Sequence, residues 1–262
     1  MTLFHFIEIR HLTFLTGSFI TCVRHEAGAL IVYSTLLSEP AWNYTTSFSP
    51  GPDHLPSLLK AMRVSYQKMN RRLCISVHEK DMALLTSLKN SGFQVLFRDA
   101  WMIYHETIVR NKTHSHPFVT IKGLKRDLLK DDFVNVFLAS YSKKSINDLY
   151  EFDPNNRAII KQLLLEKSAH VKKGIVAYLE GVPVACGLIM MDSTVAGIYC
   201  IGVIHHARNQ GIGEQIVNTL TQFALSKGIK SIFLQTESGS HLEKWYQKLG
   251  FITHFTTCYL VK

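Results

Sequence analysis

Between Ile198 and Gly213 the chain reads Ile-Tyr-Cys-Ile-Gly-Val-Ile-His-His-Ala-Arg-Asn-Gln-Gly-Ile-Gly, an apolar run that breaks into a polar, glycine-bearing stretch. A helical pattern follows without a gap. In Gly213–Lys227 the residues Ile216, Val217, Leu220, Phe223 and Ala224 share one face, and Gly228 stands past the end. The next run, Ile229–Gln235, is short and apolar enough for a buried strand. Strand, tight loop, helix and strand in this order close as a crossover inside a sheet that has parallel neighbours. Just upstream, Gly174–Leu179, a turn at Glu180-Gly181 and Val182–Met191 read as an antiparallel hairpin. Both patterns together require a mixed sheet.

The loop also carries chemical information. The first main-chain N–H groups of a helix lack intrahelical partners, and the helix dipole adds positive potential at the same end. Anions bind there. Gly211 and Gly213 have no Cβ to hold a diphosphate away from the backbone, and Arg208 sets a permanent cation at the rim. The spacing Arg208-x-x-Gly211-x-Gly213 is neither a Walker loop nor the Gly-x-Gly-x-x-Gly dinucleotide fingerprint, which argues against ATP and NAD.

Helical spacing over Asp131–Tyr141 and Asn156–Lys167, strands at Phe118–Lys122, Ala196–Val203 and Phe255–Val261, and a short helix His241–Leu249 complete the second half. The fold class expected is α/β, an α+β arrangement on a mixed sheet. Upstream, the turn Phe48-Ser-Pro-Gly-Pro-Asp53 offers Asp53 as a cap for a helix at Leu55–Met69. The polar stretch Arg110–Pro117 reads as a linker, giving domains at 1–109 and 118–262. Leu84–Phe93 echoes Leu242–Phe251, each a helix closed by Gly-Phe and followed by an aromatic-rich strand, as two related halves would be.

Composition narrows the partners. With 47% hydrophobic and 19% charged residues among 262, the chain can bury large cores. Its net charge of +9 favours anionic ligands, but the densest basic groups (Arg71-Arg72, Lys143-Lys144, Lys172-Lys173) are pairs, and no nucleic-acid partner is expected. Cys22, Cys74, Cys186, Cys200 and Cys258 form no Cys-x-x-Cys pair, so neither a metal site nor a disulfide framework is encoded, and the pattern suits a reducing cytoplasm. No run approaches the ~18–20 apolar residues of a membrane span. Glu8, Arg10 and His11 interrupt the apolar N-terminus, which lacks leader features. No membrane partner is expected, and no feature sets an oligomeric state.

Arg208–Gly213 resembles, at every defined position, the [Arg/Gln]-x-x-Gly-x-[Gly/Ala] signature of the GNAT superfamily of acyl-CoA N-acyltransferases. Ile201-Gly202-Val203 is similar to the family strand whose main chain pairs with pantetheine, and Trp245-Tyr246-Gln-Lys-Leu-Gly250-Phe251 to its closing helix and Gly-Phe turn. The likeness covers about Phe118–Lys262 and is strongest from Ala196 onward. It implies acetyl-CoA as co-substrate, held by Ile201, Gly202, Val203, Arg208, Asn209, Gln210, Gly211, Ile212, Gly213 and Glu214. It implies a splay between the strand ending at Val203 and Ile232–Gln235, and Tyr246 as the acid for the departing sulfur. Family members often carry Asn seven residues before that tyrosine. Here the position is Gly239, so the contact is either lost or passes to Ser240.

Transfer to an amine needs a base, an oxyanion donor and an acid. A main-chain N–H near Gly202–Val203 suits the oxyanion, and Glu237, at the end of the following strand, is the candidate base, with His205 and His206 as alternatives. Tyr199 or Cys200 lines the acceptor side, only one of them if the strand alternates. An acyl-Cys200 intermediate lacks a His–Asp partner. No Arg-x-x-Gly-x-Gly precedes Phe118, and aligning the two Gly-Phe turns sets Leu88 opposite Tyr246. The resemblance therefore implies a tandem of a degenerate and an intact GNAT-like domain. The expected function is an N-acetyltransferase moving acetyl from acetyl-CoA to a primary amine on a small molecule or peptide. Ser140–Asp153, with Asp148, Glu151 and Asp153, and the N-terminal half would shape the acceptor pocket. The alternative is a non-catalytic acyl-CoA-binding regulatory protein.

Overall fold

The structure, a computed structural model, describes residues 2–47, 54–106, 117–124, 127–141, 153–165 and 170–262. In chain order these form α1 (Leu3–Leu15), β1 (Cys22–Glu26), β2 (Ala29–Tyr33), β3 (Tyr44–Thr46), α2 (Leu55–Lys68), β4 (Cys74–His78), α3 (Met82–Asn90) and β5 (Gln94–Tyr104). There follow β6 (Val119–Gly123), α4 (Asp127–Tyr141), α5 (Asn156–Leu165), β7 (Val171–Leu179), β8 (Val182–Met191) and β9 (Val195–Val203). The last elements are α6 (Ile212–Ser226), β10 (Ser231–Glu237), α7 (His241–Lys248) and β11 (Phe251–Val261). The chain clusters into an N-terminal unit, Met1–Met102 with Gln235–Lys244 and Thr253–Lys262, and a second unit, Ile103–Leu234 with Trp245–Ile252. Residues 235–244 and 253–262 thus cluster with the N-terminal residues rather than with the rest of 118–262.

In the N-terminal unit β1, β2, β3, β4 and β11 lie side by side in that order, with β5 next to β11. β4 pairs parallel with β3 at Thr45↔Ile75, and antiparallel with β11 from Thr257↔His78 to Val261↔Cys74. The helical spacing of Leu55, Leu58, Leu59 and Met62 in α2, with Leu85 and Leu88 in α3, lays an apolar stripe on Ile31, Ile75, Val77, Cys258 and Leu260. Strand alternation turns Phe255, Thr257 and Tyr259 to the other face. There α1 packs, with Phe4 edge-on to Phe255 at 5.1 Å and His11 against Trp101 at 5.2 Å. α1 was not expected from the sequence: its buried side carries Glu8 and His11 among Phe4, Ile7, Leu12 and Leu15.

In the second unit β6, β7, β8 and β9 are antiparallel neighbours and β10 joins β9 in parallel, as a crossover through α6 requires. The β7–β8 turn places Glu180 at φ +50° and Gly181 at φ +85°, the left-handed pair that a two-residue hairpin turn needs. α6 and α4 take opposite faces. A Cβ on Gly187 would meet Ile216 and Leu220 of α6, whereas one on Gly202, the partner of adjacent Cys186, would meet Ser140 of α4. Ile216, Val217 and Leu220 on one side and Phe133, Val134 and Val136 on the other are buried.

The two Gly-Phe turns have the same form. Gly92 and Gly250 are left-handed at φ +85° and +92°, Phe93 and Phe251 are buried, and an eleven-residue strand follows each helix. β11 begins at Phe251 rather than at Phe255. The cap at Asp53 and the Phe48–Asp53 turn, residues 110–116 of the linker, and Asp148 and Glu151 lie outside the described residues.

Candidate active site

β9 does not run straight. Leu188 pairs with Tyr199 and Cys186 with Gly202, so Cys200 and Ile201 both stand opposite Gly187. Cys200 takes φ +54°, a left-handed conformation that costs a non-glycine residue on the order of 1 kcal/mol. This bulge breaks the alternation that Tyr199 and Cys200 were expected to obey. Burial pushes the Cys200 thiol up to about 12, so it stays protonated and is a poor nucleophile.

On the other side of β9, pairing with β10 runs from Ser231↔Val195 to Phe233↔Gly197 and stops. Among the described residues, Ile198–Val203 have no strand partner there. The termination matches the start of the expected splay and leaves main-chain amides and carbonyls to be satisfied by something other than a strand.

After Val203 the chain makes a single 3-10 turn, His205–Ala207, with both histidines exposed, and then the Arg208–Gly213 loop. Asn209 (φ +60°) and Gly211 (φ +76°) are left-handed, which turns the chain sharply into α6. Gln215 N–H makes the first helical bond, to Gly211 C=O at 3.1 Å. Among the described residues, the six preceding N–H groups, Asn209 to Glu214, have no hydrogen-bond partner. They form an amide-rich concavity at the positive end of a fifteen-residue helix.

Arg208 is fixed rather than free. Its Nε donates to Val203 C=O at 3.0 Å and one terminal nitrogen to Ser140 C=O at 2.9 Å, so the last turn of α4 holds the cation against the end of β9. Tyr141 continues the same junction, donating its hydroxyl to Ile201 C=O at 2.8 Å. Gly202 has its own reason to be glycine: a Cβ there would lie 2.8 Å from Ser140 Oγ. Its small size thus admits α4 itself. Ser140 and Tyr141 were not assigned here from the sequence, because nothing in local spacing ties the end of α4 to a strand sixty residues on.

Tyr246 sits on α7 between Trp245, at 4.7 Å, and Phe251, at 6.0 Å. It is 7% exposed, and its hydroxyl has no hydrogen-bond partner among the described residues. Burial raises the phenol above its ordinary value, so it is protonated at neutral pH. Trp245 flanks the Arg208–Gly213 loop, its ring 3.5 Å from where a Gly213 Cβ would be.

The remaining two candidates belong to the N-terminal unit. Glu237 ends β10 exposed to solvent. Ser240 Oγ accepts the N–H of Glu243 at 3.2 Å, capping the start of α7. Among the described residues no group of three metal-ligating side chains occurs, and no helix is long and apolar enough to cross a membrane.

Residues 128–251 match the family model described as Acetyltransferase (GNAT) family. Among solved structures, a GCN5-related N-acetyltransferase from Kribbella flavida is similar over 100% of this chain and 96% of its own, at TM-score 0.70 and 18% identity. One from Sphaerobacter thermophilus is similar over 90% and 80%, at TM-score 0.69 and 11% identity. A tandem GNAT protein from the clavulanic acid biosynthesis pathway matches over 89% and 78%, at TM-score 0.65 and 10% identity. No curated protein sequence matches this chain significantly. With a tandem GNAT protein among its structural neighbours, the chain has the GNAT fold, and residues 128–251 are a domain of the GNAT acetyltransferase family.

Proposed function

We propose that this protein is an N-acetyltransferase that moves an acetyl group from acetyl-CoA to a primary amine. The six amides from Asn209 to Glu214, which have no hydrogen-bond partner among the described residues, carry the reading beside the anchored Arg208. They suit the linked phosphates of coenzyme A in number, polarity and accessibility. Ile201, Gly202 and Val203 lie where β9 has lost its strand partner and would hold the pantetheine arm by main-chain bonds, as an added strand does. Acetyl-CoA supplies the thioester whose carbonyl the amine attacks.

The chain's own groups then divide the work. A main-chain N–H at Gly202–Val203 donates to the oxygen as it gains charge. Tyr246 keeps its proton until the sulfur departs, because burial holds the phenol above its ordinary value. Glu237 takes the amine's proton, directly or through water, and His205 and His206 are its alternatives. Ser240 already caps α7, and its contact to the cofactor would have to share that hydroxyl.

Titration calorimetry of the folded full chain tests the reading. Saturable binding of both coenzyme A and acetyl-CoA is expected, together with release of free thiol on addition of an amine acceptor. Absence of heat with either ligand removes the proposal. Binding without thiol release across a broad amine panel would leave a regulatory acyl-CoA-binding protein instead.

A further inference from the structure

α2 ends in a turn that sends the chain straight back toward the sheet. Asn70 N–H donates to Gln67 C=O at 3.0 Å and Arg71 N–H to Tyr66 C=O at 2.9 Å, with Asn70 left-handed at φ +52°. These are the paired bonds of a Schellman cap, with asparagine where glycine is commonest. Arg71 and Arg72 therefore follow the helix at once. On the last turns of α2, Arg63 shares a face with Tyr66 and Gln67, three and four residues on. From the other side, the register Val261↔Cys74 brings Lys262 level with Leu73. Between these elements lies a cavity of about 310 Å³, at the lower end of the usual size for small-ligand sites. Tyr66 and Leu73, both buried, supply the apolar part of its lining.

Four cations, Arg63, Arg71, Arg72 and Lys262, line that space, and among the described residues no carboxylate side chain does. Their protein partners are neutral carbonyls. Arg71 donates its terminal nitrogens to Asn70 and Thr35 C=O at 3.1 Å and to Ser34 C=O at 3.2 Å. Lys262 Nζ donates to Ser91 C=O at 2.5 Å, and Arg72 Nε to Lys262 C=O at 3.4 Å. Among the described residues none of the four forms an ion pair, and the Arg63 guanidinium and the terminal nitrogens of Arg72 have no hydrogen-bond partner. Arg71 Nε is buried without one. Glu26, which Ser65 of α2 bonds, pairs with Arg24 at 3.0 Å. A main-chain carboxylate at Lys262 would offset only one of the four charges. Like charges gathered around one space repel, and an anion placed among them removes that repulsion.

The guest's chemistry follows from the lining. A carboxylate brings two oxygens and one charge, too little for four cations. A phosphate monoester brings close to two charges and three acceptor oxygens on one centre, which arginine binds in pairs. Its organic group can cover Tyr66 and Leu73. A nucleic-acid strand asks for cations spread along a groove, whereas these surround a single cavity. We propose that the N-terminal unit binds a small phosphate monoester, its phosphate held by Arg63, Arg72 and Lys262 beside the anchored Arg71, its organic group against Tyr66 and Leu73. This site requires nothing of the 209–214 loop.

The test is titration of the full chain with phenyl phosphate, at a pH above the second phosphate pKa of ~6, followed by amide NMR shifts that report place as well as affinity. Saturable shifts are expected at Arg71–Leu73 and Lys262. The double variant Arg63→Gln/Arg72→Gln, changed at two exposed side chains, should weaken binding there at least about tenfold through loss of charge-assisted bonds. Arg208→Gln should leave it within about twofold, as a site with no shared partner does, so failure here and failure of the 209–214 loop are distinguishable. Inorganic phosphate should shift the same amides at severalfold higher concentration, and benzoate, a monoanion, at higher concentration still. Shifts confined to Asn209–Glu214, an unchanged affinity in the double variant, or equal binding of inorganic phosphate or benzoate would overturn the proposal. Should the double variant fold poorly, Arg63→Gln alone should cost severalfold in affinity, and no loss there overturns the proposal as well.

Discussion

The guanidinium of Arg208 donates to the main-chain carbonyl of Ser140 at 2.9 Å, so the cation beside the 209–214 loop is held by the end of α4. A second bond, to Val203 C=O, fixes its plane. Arg208→Lys keeps the charge but cannot make both bonds at once. Coenzyme A affinity, measured by calorimetry, is expected to fall about tenfold in Arg208→Lys and further in Arg208→Gln, in line with charge-assisted bonds being worth roughly 1.5–3 kcal/mol.

Tyr246 is buried, its hydroxyl has no hydrogen-bond partner among the described residues, and its ring packs on Trp245 and Phe251. Tyr246→Phe preserves that packing and removes only the hydroxyl. In a thiol-release assay kcat should fall about a hundredfold or more, as for loss of a positioned acid, with acetyl-CoA affinity unchanged within about twofold. A loss of affinity with kcat intact would assign the hydroxyl to binding instead.

Gly202 and Ser140 form a steric pair. Gly202→Ala drives a methyl into Ser140 Oγ and should destabilise the protein by roughly 1–3 kcal/mol in urea unfolding. Ser140→Gly, added to it, should recover most of that loss. Two effects that simply add would show that the two residues do not touch.

His11, buried, and Asp99, half-buried, give the stability opposite slopes with pH. Burial lowers the His11 imidazole to about 3, so the folded chain keeps it neutral while the unfolded chain takes a proton near 6.5. Its contribution is complete above 6.5 and is lost as pH falls toward 3. Asp99 is raised to about 7, by burial first and then by the charge of Glu237 on β10. Its folded form holds a proton that the unfolded form has lost above 3.8, so its contribution is complete below 3.8 and lost as pH rises to about 7. Asp99→Asn should therefore match the parent near pH ~4 and exceed it by on the order of 2 kcal/mol at pH ~8, read from urea midpoints across pH.

What the sequence made legible follows from which signals are local. The β7–β8 hairpin and α6 were readable because a turn pair and a 3.6-residue stripe are written within a few residues of each other. The sharp loop from Arg208 into α6 was readable because Gly211 and Gly213 stand at the point where the helical stripe begins. α1 was not, because Glu8 and His11 sit on its buried side and blur the apolar stripe. The bulge at Cys200 was hidden for a related reason: alternation is the default for an apolar strand, and only the pairing with β8 reveals the extra residue. Ser140 and Tyr141 reach the site through tertiary contact alone. The early start of β11 was hidden as well, because Thr253 and His254 interrupt the apolar run between Phe251 and Phe255.

The pairing of β4 with β11 joins His78 to Thr257, so a strand made early in translation waits ~180 residues for its neighbour, a separation that slows folding. Until then one flank of β4 offers bare amides and carbonyls to any passing chain. Cutting the gene between the two sequence halves would make that wait permanent. The N-terminal fragment should then aggregate unless β11 is supplied in trans as a peptide.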